Sequence, residues 1–158
     1  MIYENVAFDW EGYLSLAKQF LQELEVENTD NNENEAKVRC GISRAYYAAF
    51  NNSKIFLHRM GIEPSYLGGS SHDKIINEFK ILYESSDDKD RDKPYIKIYN
   101  GLSSLKVERI KADYNDYLFA EKYLSQKAKK NKLETAIKHS EKIVNNLLLL
   151  KDVKKTVL

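Results

Sequence analysis

Hydrophobic residues recur at steps of three and four along most of this chain, which is the spacing of one face of an α-helix. No alternating pattern long enough for a β-strand accompanies them. The pattern therefore predicts an all-α protein, an up-and-down bundle of about five helices. The predicted stripes are Trp10, Leu14, Ala17, Leu21 and Leu24; Ile42, Ala45, Tyr46, Ala49, Ser53, Phe56 and Met60; Ile75, Ile76, Phe79 and Leu82; Tyr95, Ile98, Leu102 and Leu105; and Leu133, Ala136, Ile137, Ser140, Val144, Leu147 and Leu148.

Polar stretches and turn-forming residues predict where the helices begin and end. The segment Asn28–Asn34 is wholly polar and predicts a loop before a second helix over about Glu35–Met60. Gly61 stands where a helix C-cap belongs. The stretch Ser70–Asp73 has the spacing of a capping box at the start of the third helix, and Pro94 suits the first turn of the fourth.

The length and composition are those of one compact domain. A chain of 158 residues can bury about 70% of its extended surface around one core, so we expect a single helical domain over residues 1–158. Apolar residues make up 42% of the chain, which excludes a disordered polymer. Only two prolines and six glycines occur, and this scarcity favours helices over a turn-rich β fold.

Several classes of protein are excluded by the sequence. A single cysteine, Cys40, permits neither an internal disulfide nor a multi-cysteine metal site, and we expect it to be a small buried apolar side chain. No apolar run approaches the roughly 20 residues that span a bilayer. The amino terminus carries acids where a signal peptide carries bases. We therefore expect a cytoplasmic protein with no part in a membrane.

Charge and motifs narrow the chemistry further. The 25 basic and 24 acidic side chains give a net charge of +1, which argues against a dedicated duplex-DNA binder. Metal-binding helix motifs, a P-loop and a nucleophile elbow are absent from the sequence, so we predict no metal and no cofactor. The near-neutral total hides a polarised surface, because the acidic stretch Asp87–Asp92 balances a basic one. The basic stretch consists of Lys127, Lys129, Lys130, Lys132, Lys138 and Lys142.

Arg109 continues the apolar stripe of the fourth helix by one step of four, and Asp113 by another. Side chains four residues apart share one helix face, so these two can pair. One interpretation is a structural ion pair that ties the fourth helix to a neighbour. The other is a phosphate-binding arginine held in position by a carboxylate, because a guanidinium matches a phosphate with two parallel hydrogen bonds. The pattern leaves both open.

Two further groups of residues are candidates for chemistry. Arg44 and Tyr47 share one flank of the second helix, from which Arg44 can compete with Arg109 for Asp113. His72 stands at the predicted start of the third helix, where the helix dipole disfavours its protonated form. A helix-spanning salt bridge and a solvent-exposed histidine are the simpler interpretations.

Three short motifs occur in an order and spacing that resemble one family. They are Arg44-Ala45-Tyr46-Tyr47-Ala48-Ala49-Phe50, then His72-Asp73-Lys74, then Arg109-Ile110-Lys111-Ala112-Asp113-Tyr114. Over roughly Glu35 to Tyr114 the chain resembles the HEPN superfamily, in the branch with an R-x-x-A-D-Y signature. The resemblance implies a helical bundle that is usually a homodimer.

The resemblance also implies an activity and partners. Many HEPN proteins are metal-independent ribonucleases of toxin–antitoxin, phage-defence and CRISPR-associated systems, and many are encoded beside a nucleotidyltransferase-like partner. Active members carry an arginine and a histidine a short spacer apart, and two such motifs meet at the dimer interface. Arg109 matches the arginine, whereas Tyr114, Asn115 and Asp116 occupy the places where the histidine would fall. The usual catalytic histidine is therefore missing.

Three hypotheses about function remain open. The first is a dimeric module without catalysis that binds RNA or a partner protein. The second is an active endoribonuclease in which another side chain replaces the missing histidine. The third is a purely structural protein-interaction domain. The candidate binding residues are Arg44, Tyr47 and Asp113, and the candidate catalytic residues are Arg109, Tyr114 and His72.

Overall fold

The computed structural model describes residues 8–24, 31–63, 71–114 and 126–155, and every regular element in these ranges is a helix. The predicted all-α class and the number of helices are confirmed. The elements are α1 (Glu11–Glu23), α2 (Asn31–Arg59), α3 (Ser71–Glu84), α4 (Lys93–Tyr114) and α5 (Gln126–Lys155).

The bundle is organised around α2. This helix packs against α1, α4 and α5, while α3 packs against α4. The predicted stripe of α4 is buried along its whole length, and Leu102 and Leu105 have no exposed surface. Tyr46 on α2 and Phe79 on α3 are the largest fully buried side chains. The inward faces of α2, α3 and α4 therefore meet in one continuous core.

The C-terminus of α2 is a sharp stop, as predicted from Gly61. This glycine has a φ of 74°, in the left-handed region that disfavours side chains. The Ile62 amide donates to the Leu57 carbonyl at 2.9 Å, and the Gly61 amide donates to the His58 carbonyl at 2.9 Å. These two bonds satisfy carbonyls that the end of a helix leaves free. Pro64 and Ser70, which entered the boundary predictions, lie outside the described residues.

The start of α2 differs from the prediction. The helix begins at Asn31, inside the segment that was predicted as a loop, and Asn34 is buried. Lys37 accounts for part of this extension, because its ammonium pairs with Glu33 at 3.1 Å within the helix and with Glu23 of α1 at 3.0 Å. Tertiary contacts thus override the low helix propensity of asparagine.

Two predictions of burial were wrong. Cys40 is exposed, because it lies about 180° around α2 from the buried Ala49. Leu148 is 49% exposed, whereas Ile143 and Leu150 are buried in its place. Four consecutive leucines at 147–150 cover a full helical turn, so spacing alone could not select the inward ones.

None of the five helices, within the ranges that the structure describes, combines the length and the apolarity needed to cross a membrane.

Candidate functional site

Arg109 lies where α4 meets α2. Its Nε is 2.9 Å from an Asp113 carboxylate oxygen, and one of its Nη groups donates to the Tyr47 hydroxyl. The Arg109 side chain is 15% exposed and that of Asp113 26%. The interior stripe of α4 brings the guanidinium to this position, since Arg109 follows Leu105 by one turn. The ion pair predicted from the spacing is therefore present, and it is half-buried.

Aromatic rings surround the guanidinium. Its carbon lies 5.1 Å from the ring centre of Tyr47, 5.9 Å from that of Tyr46 and 5.7 Å from that of Tyr114. A cation within about 6 Å of a ring face is attracted by the negative charge there. Tyr46 is buried, but Tyr114 is 70% exposed. The guanidinium is thus held between the protein interior and a ring that faces solvent.

The α2 helix also holds the end of α4 through two other residues. Ser43 Oγ donates to an Asp113 carboxylate oxygen at 3.5 Å, and Arg39 donates to the carbonyl of Ala112 at 2.8 Å. Arg39 is itself oriented by Glu35, one turn earlier on the same helix. A cation at the last carbonyls of a helix satisfies acceptors that the helix leaves free. This contact of Arg39 was not predicted.

His72 is the second residue of α3 and lies against α2. Its ring stacks on Phe50 with 4.3 Å between ring centres and an angle of 11° between planes. His72 Nδ1 and the Tyr46 hydroxyl oxygen are hydrogen-bonded at 2.6 Å. Because Tyr46 and Tyr47 contact both His72 and Arg109, they connect the histidine to the arginine. We call Arg109, Asp113, Tyr46, Tyr47 and His72 the Arg109 cluster.

Burial and positive charge keep His72 neutral. Its pKa is lowered, first by burial and then by the charges of Arg109 and Lys106, with a smaller opposing effect from Asp73. Asp73 in turn forms an ion pair with Lys106, which joins the start of α3 to α4. Burial raises the pKa of Tyr46 far above its usual range, so its hydroxyl keeps its proton. Within the cluster, the charged groups are the guanidinium and the Asp113 carboxylate.

The structure brings four of the six candidate residues into one cluster and places the other two differently. Arg44 lies over the ring of Tyr13 on α1, at 4.7 Å, and it forms no ion pair with the described residues. The predicted competition of Arg44 with Arg109 for Asp113 is therefore wrong. Tyr114 borders the cluster from the solvent side. The remaining residues of the motif, 115 and 116, lie outside the described residues.

The sequence did not reveal the polar role of Tyr46. Its position in the apolar stripe of α2 identified it as a core residue, and its ring is indeed buried. A buried phenolic hydroxyl needs a hydrogen-bonding partner, however, and His72 supplies it. The spacing gave no indication of this pairing, because the two residues are on different helices.

Chemically, the cluster combines a fixed cation with a neutral imidazole. A guanidinium attracts phosphate oxygens, and a neutral imidazole can accept a proton. In the described part of the chain, no three or more His, Cys, Asp or Glu side chains are grouped so as to hold a metal ion. Compared with protein-family models, with curated proteins and with solved structures, the chain shows no significant match to any of them.

Replacing Arg109 with alanine removes the ion-pair partner of Asp113, which keeps only the long contact with Ser43, and the donor to the Tyr47 hydroxyl. Asp113→Ala removes the one carboxylate beside the guanidinium and leaves it the Tyr47 hydroxyl and the tyrosine rings. We expect each change to lower the free energy of unfolding by about 1–3 kcal/mol, the range for leaving a buried polar group without its partner. Chemical denaturation measures the free energy of unfolding of each variant. The double mutant should lose less unfolding free energy than the two single mutants together.

Arg59→Ala is the matched control. Arg59 is an exposed residue of α2 that forms no ion pair with the residues the structure describes, so its removal should cost less than about 1 kcal/mol. Additive losses for Arg109→Ala and Asp113→Ala would show that the two side chains do not stabilise each other.

The lowered pKa of His72 makes stability depend on pH. The unfolded chain protonates this histidine near its ordinary pKa of about 6.5, whereas the folded chain resists protonation until a lower pH. The stabilisation is therefore complete above about pH 6.5 and is lost as the pH falls through the folded pKa. We expect His72→Gln to lose less unfolding free energy than the wild type as the pH falls from about 6.5 to the lower pKa of folded His72.

A proton NMR titration of the His72 ring measures the pKa directly. Arg109→Gln removes a neighbouring positive charge and should move the pKa of His72 upward. A wild-type midpoint at or above about 6.5 would contradict the burial of His72 beside the guanidinium. An unchanged midpoint in Arg109→Gln would show that the charge does not reach the imidazole.

Proposed function

We propose that this chain is a HEPN-type helical module that binds RNA through the Arg109 cluster. In this proposal it is a cytoplasmic homodimer of a defence or toxin–antitoxin system, and the usual catalytic histidine is missing. The observation that carries the proposal is the position of Arg109. A half-buried guanidinium is held by one carboxylate and one hydroxyl at the edge of the bundle, among tyrosine rings.

The guanidinium retains hydrogens for a ligand. Arginine has five N–H donors. Asp113 is an ion-pair partner 2.9 Å from Nε that forms no hydrogen bond with it, and the Tyr47 hydroxyl accepts from one Nη group. No other acceptor among the described residues is bonded to this guanidinium, so a phosphate would contact the remaining Nη hydrogens. A guanidinium that is already oriented loses little side-chain entropy on binding.

The surroundings of Arg109 favour single-stranded RNA over a duplex. Bases that are not paired stack on exposed aromatic side chains, and Tyr114 presents such a ring beside the guanidinium. Two further cations, Lys54 and Lys106, lie close enough to lower the pKa of His72. A local group of cations on a chain of net charge +1 supports phosphate contacts that weaken steeply with salt.

An exposed apolar stripe beside the cluster supports the homodimer. Val107 is 49% exposed, Ile110 41% and Tyr114 70%, and their spacing puts all three on one face of α4. A second copy of the chain would cover Val107 and Ile110, leave the Tyr114 ring open to RNA at the margin of the contact, and bring two Arg109 clusters near each other. A nucleotidyltransferase-like partner, which the family resemblance implies, would be a further component of the same system.

His72 favours a second candidate function, a metal-independent endoribonuclease. Burial lowers the pKa of His72, so the imidazole is neutral at neutral pH. In the tautomer whose Nδ1–H donates to the Tyr46 oxygen, Nε2 is unprotonated and could accept the proton of a ribose 2′-hydroxyl. The 2′-oxygen would attack the adjacent phosphorus, Arg109 would stabilise the charge of the phosphorane, and the 5′-oxygen would leave with a proton from an acid. The exposed hydroxyl of Tyr114 is the candidate acid in this scheme.

Binding and cleavage are separated by one assay. Purified protein is incubated with labelled total RNA in EDTA, and both filter retention and fragments are measured. We expect retention that falls with salt, and we expect Arg109→Ala to weaken it by about tenfold or more, which corresponds to about 1.4 kcal/mol. Arg91→Ala removes the same charge from an exposed site and should leave retention unchanged.

The outcomes distinguish the three hypotheses. Retention without fragments supports the binding module. RNA fragments that are absent in Arg109→Ala and in His72→Gln support the ribonuclease. The variant Tyr114→Phe then tests whether the Tyr114 hydroxyl is the acid that protonates the leaving oxygen. If no RNA is retained at low salt, both the RNA-binding module and the ribonuclease are contradicted. The remaining hypothesis is then the structural protein-interaction domain.

A further inference from the structure

A long groove runs along the surface between α4 and α5. Two adjoining cavities of about 580 and 640 Å³ form it, and they share Ser104 and His139. We call it the α4–α5 groove. Along α4 it extends from Lys97 to Glu108, which at about 1.5 Å per residue is about 17 Å. Arg109 does not line it, so the groove is a different surface from the Arg109 cluster.

The floor of the groove is apolar. Its base is formed by the buried side chains of Ile143 and Ala136, and Leu149, which is 56% exposed, contributes exposed apolar surface. Gly101 lies at a close approach of the two helices, since a Cβ atom at this position would be 2.9 Å from Ile143 Cγ1. The Ile143 side chain therefore occupies the space beside Gly101 and packs tightly against α4 at the base of the groove. Covering exposed apolar surface in the groove with another apolar surface removes both from water, which favours binding.

The walls of the groove are basic. Lys97, Lys132, Lys142 and His139 line it, and Glu108 is the one acidic residue among the described lining residues. Glu108 is already paired with a lysine outside the groove, Lys111, at 3.2 Å.

The three lysines of the groove have no carboxylate partner. None of Lys97, Lys132 and Lys142 forms an ion pair within the part of the chain that the structure describes. On the same helix α5, Lys129 pairs with Glu35 and Lys138 pairs with Glu134. The lysines that line the groove are therefore cations whose charge a ligand can complement.

These features fit a helix of another protein better than a nucleic acid. No phenylalanine, tyrosine or tryptophan occurs among the described lining residues, whereas single-stranded nucleic acids bind on platforms of such rings. An apolar floor between basic walls is instead complementary to an amphipathic helix with acidic flanks. A length of about 17 Å accommodates about three helical turns.

We propose that the α4–α5 groove binds an acidic amphipathic helix of a partner protein. Apolar residues at every third or fourth position of that helix cover the floor of the groove. Aspartate and glutamate residues on both flanks then reach Lys97 and Lys142 at one end and Lys132 at the other. This inference does not require the Arg109 cluster to bind RNA.

A pair of synthetic peptides tests the proposal on the full chain. The first is a labelled three- to four-turn helix with leucines on one face and glutamates on the flanks, and the second has lysines in place of the glutamates. Fluorescence anisotropy should show binding of the acidic peptide alone. NMR should show the largest shift changes at the amide of Gly101 and the methyl groups of Ile143.

Charge reversal in the groove provides the matched variants. The double variant Lys97→Glu/Lys142→Glu should weaken peptide binding by at least tenfold. Lys151→Glu reverses a charge on the same helix but on the side that faces α1, and it should leave binding unchanged. The RNA retention of the double variant should equal that of the wild type, which separates this test from that of the proposed function.

Four results would overturn the proposal. The first is that the acidic peptide does not bind the wild type. The second is an equal loss in Lys151→Glu, since binding would then depend on total charge. The third is loss of RNA retention in the double variant, which would assign the groove to RNA. The fourth is a wild-type dimer that the double variant reduces to a monomer by light scattering, because a second copy of this chain would then occupy the groove.

Discussion

The contact of the Arg109 guanidinium with Asp113 and Tyr47 is the interaction on which this end of the bundle depends. It places a full positive charge where three helices meet, with only 15% of the side chain exposed. Removing a charge from water is costly unless partners compensate for it, and here a carboxylate, a hydroxyl and the faces of tyrosine rings do so. The same partners fix the direction in which the guanidinium points.

The charge of Arg109 also adds to the effect of burial in lowering the pKa of His72. It lies near His72, whose ring is already partly withdrawn from water between α2 and α3, and it helps to keep that ring neutral. The junction therefore presents one cation and one uncharged base rather than two cations. This combination suits contact with a phosphodiester. The basic α4–α5 groove is on a different side of α4, so the bundle has two separate surfaces with different chemistry.

The sequence predicted most of the fold, because apolar spacing along a helix is a local property. The stripe from Tyr95 to Leu105 is buried as expected, and its extension led to the pair of Arg109 and Asp113. The spacing failed where the answer depends on other helices. It could not show that Arg44 lies against Tyr13 on α1, or that the buried hydroxyl of Tyr46 pairs with His72. The groove was visible only as a run of lysines, since sequence does not show which of them lack partners.

NMR of the Arg109 side chain tests the central claim most directly. A ¹H–¹⁵N spectrum of the arginine Nε–H groups, assigned by comparison with Arg109→Lys, reports whether the guanidinium is held in place. We predict a slowly exchanging Nε–H signal and nuclear Overhauser effects from the Arg109 guanidinium to the ring protons of Tyr47. A rapidly exchanging Nε–H signal without contacts to the Tyr47 ring would contradict a guanidinium fixed at the helix junction.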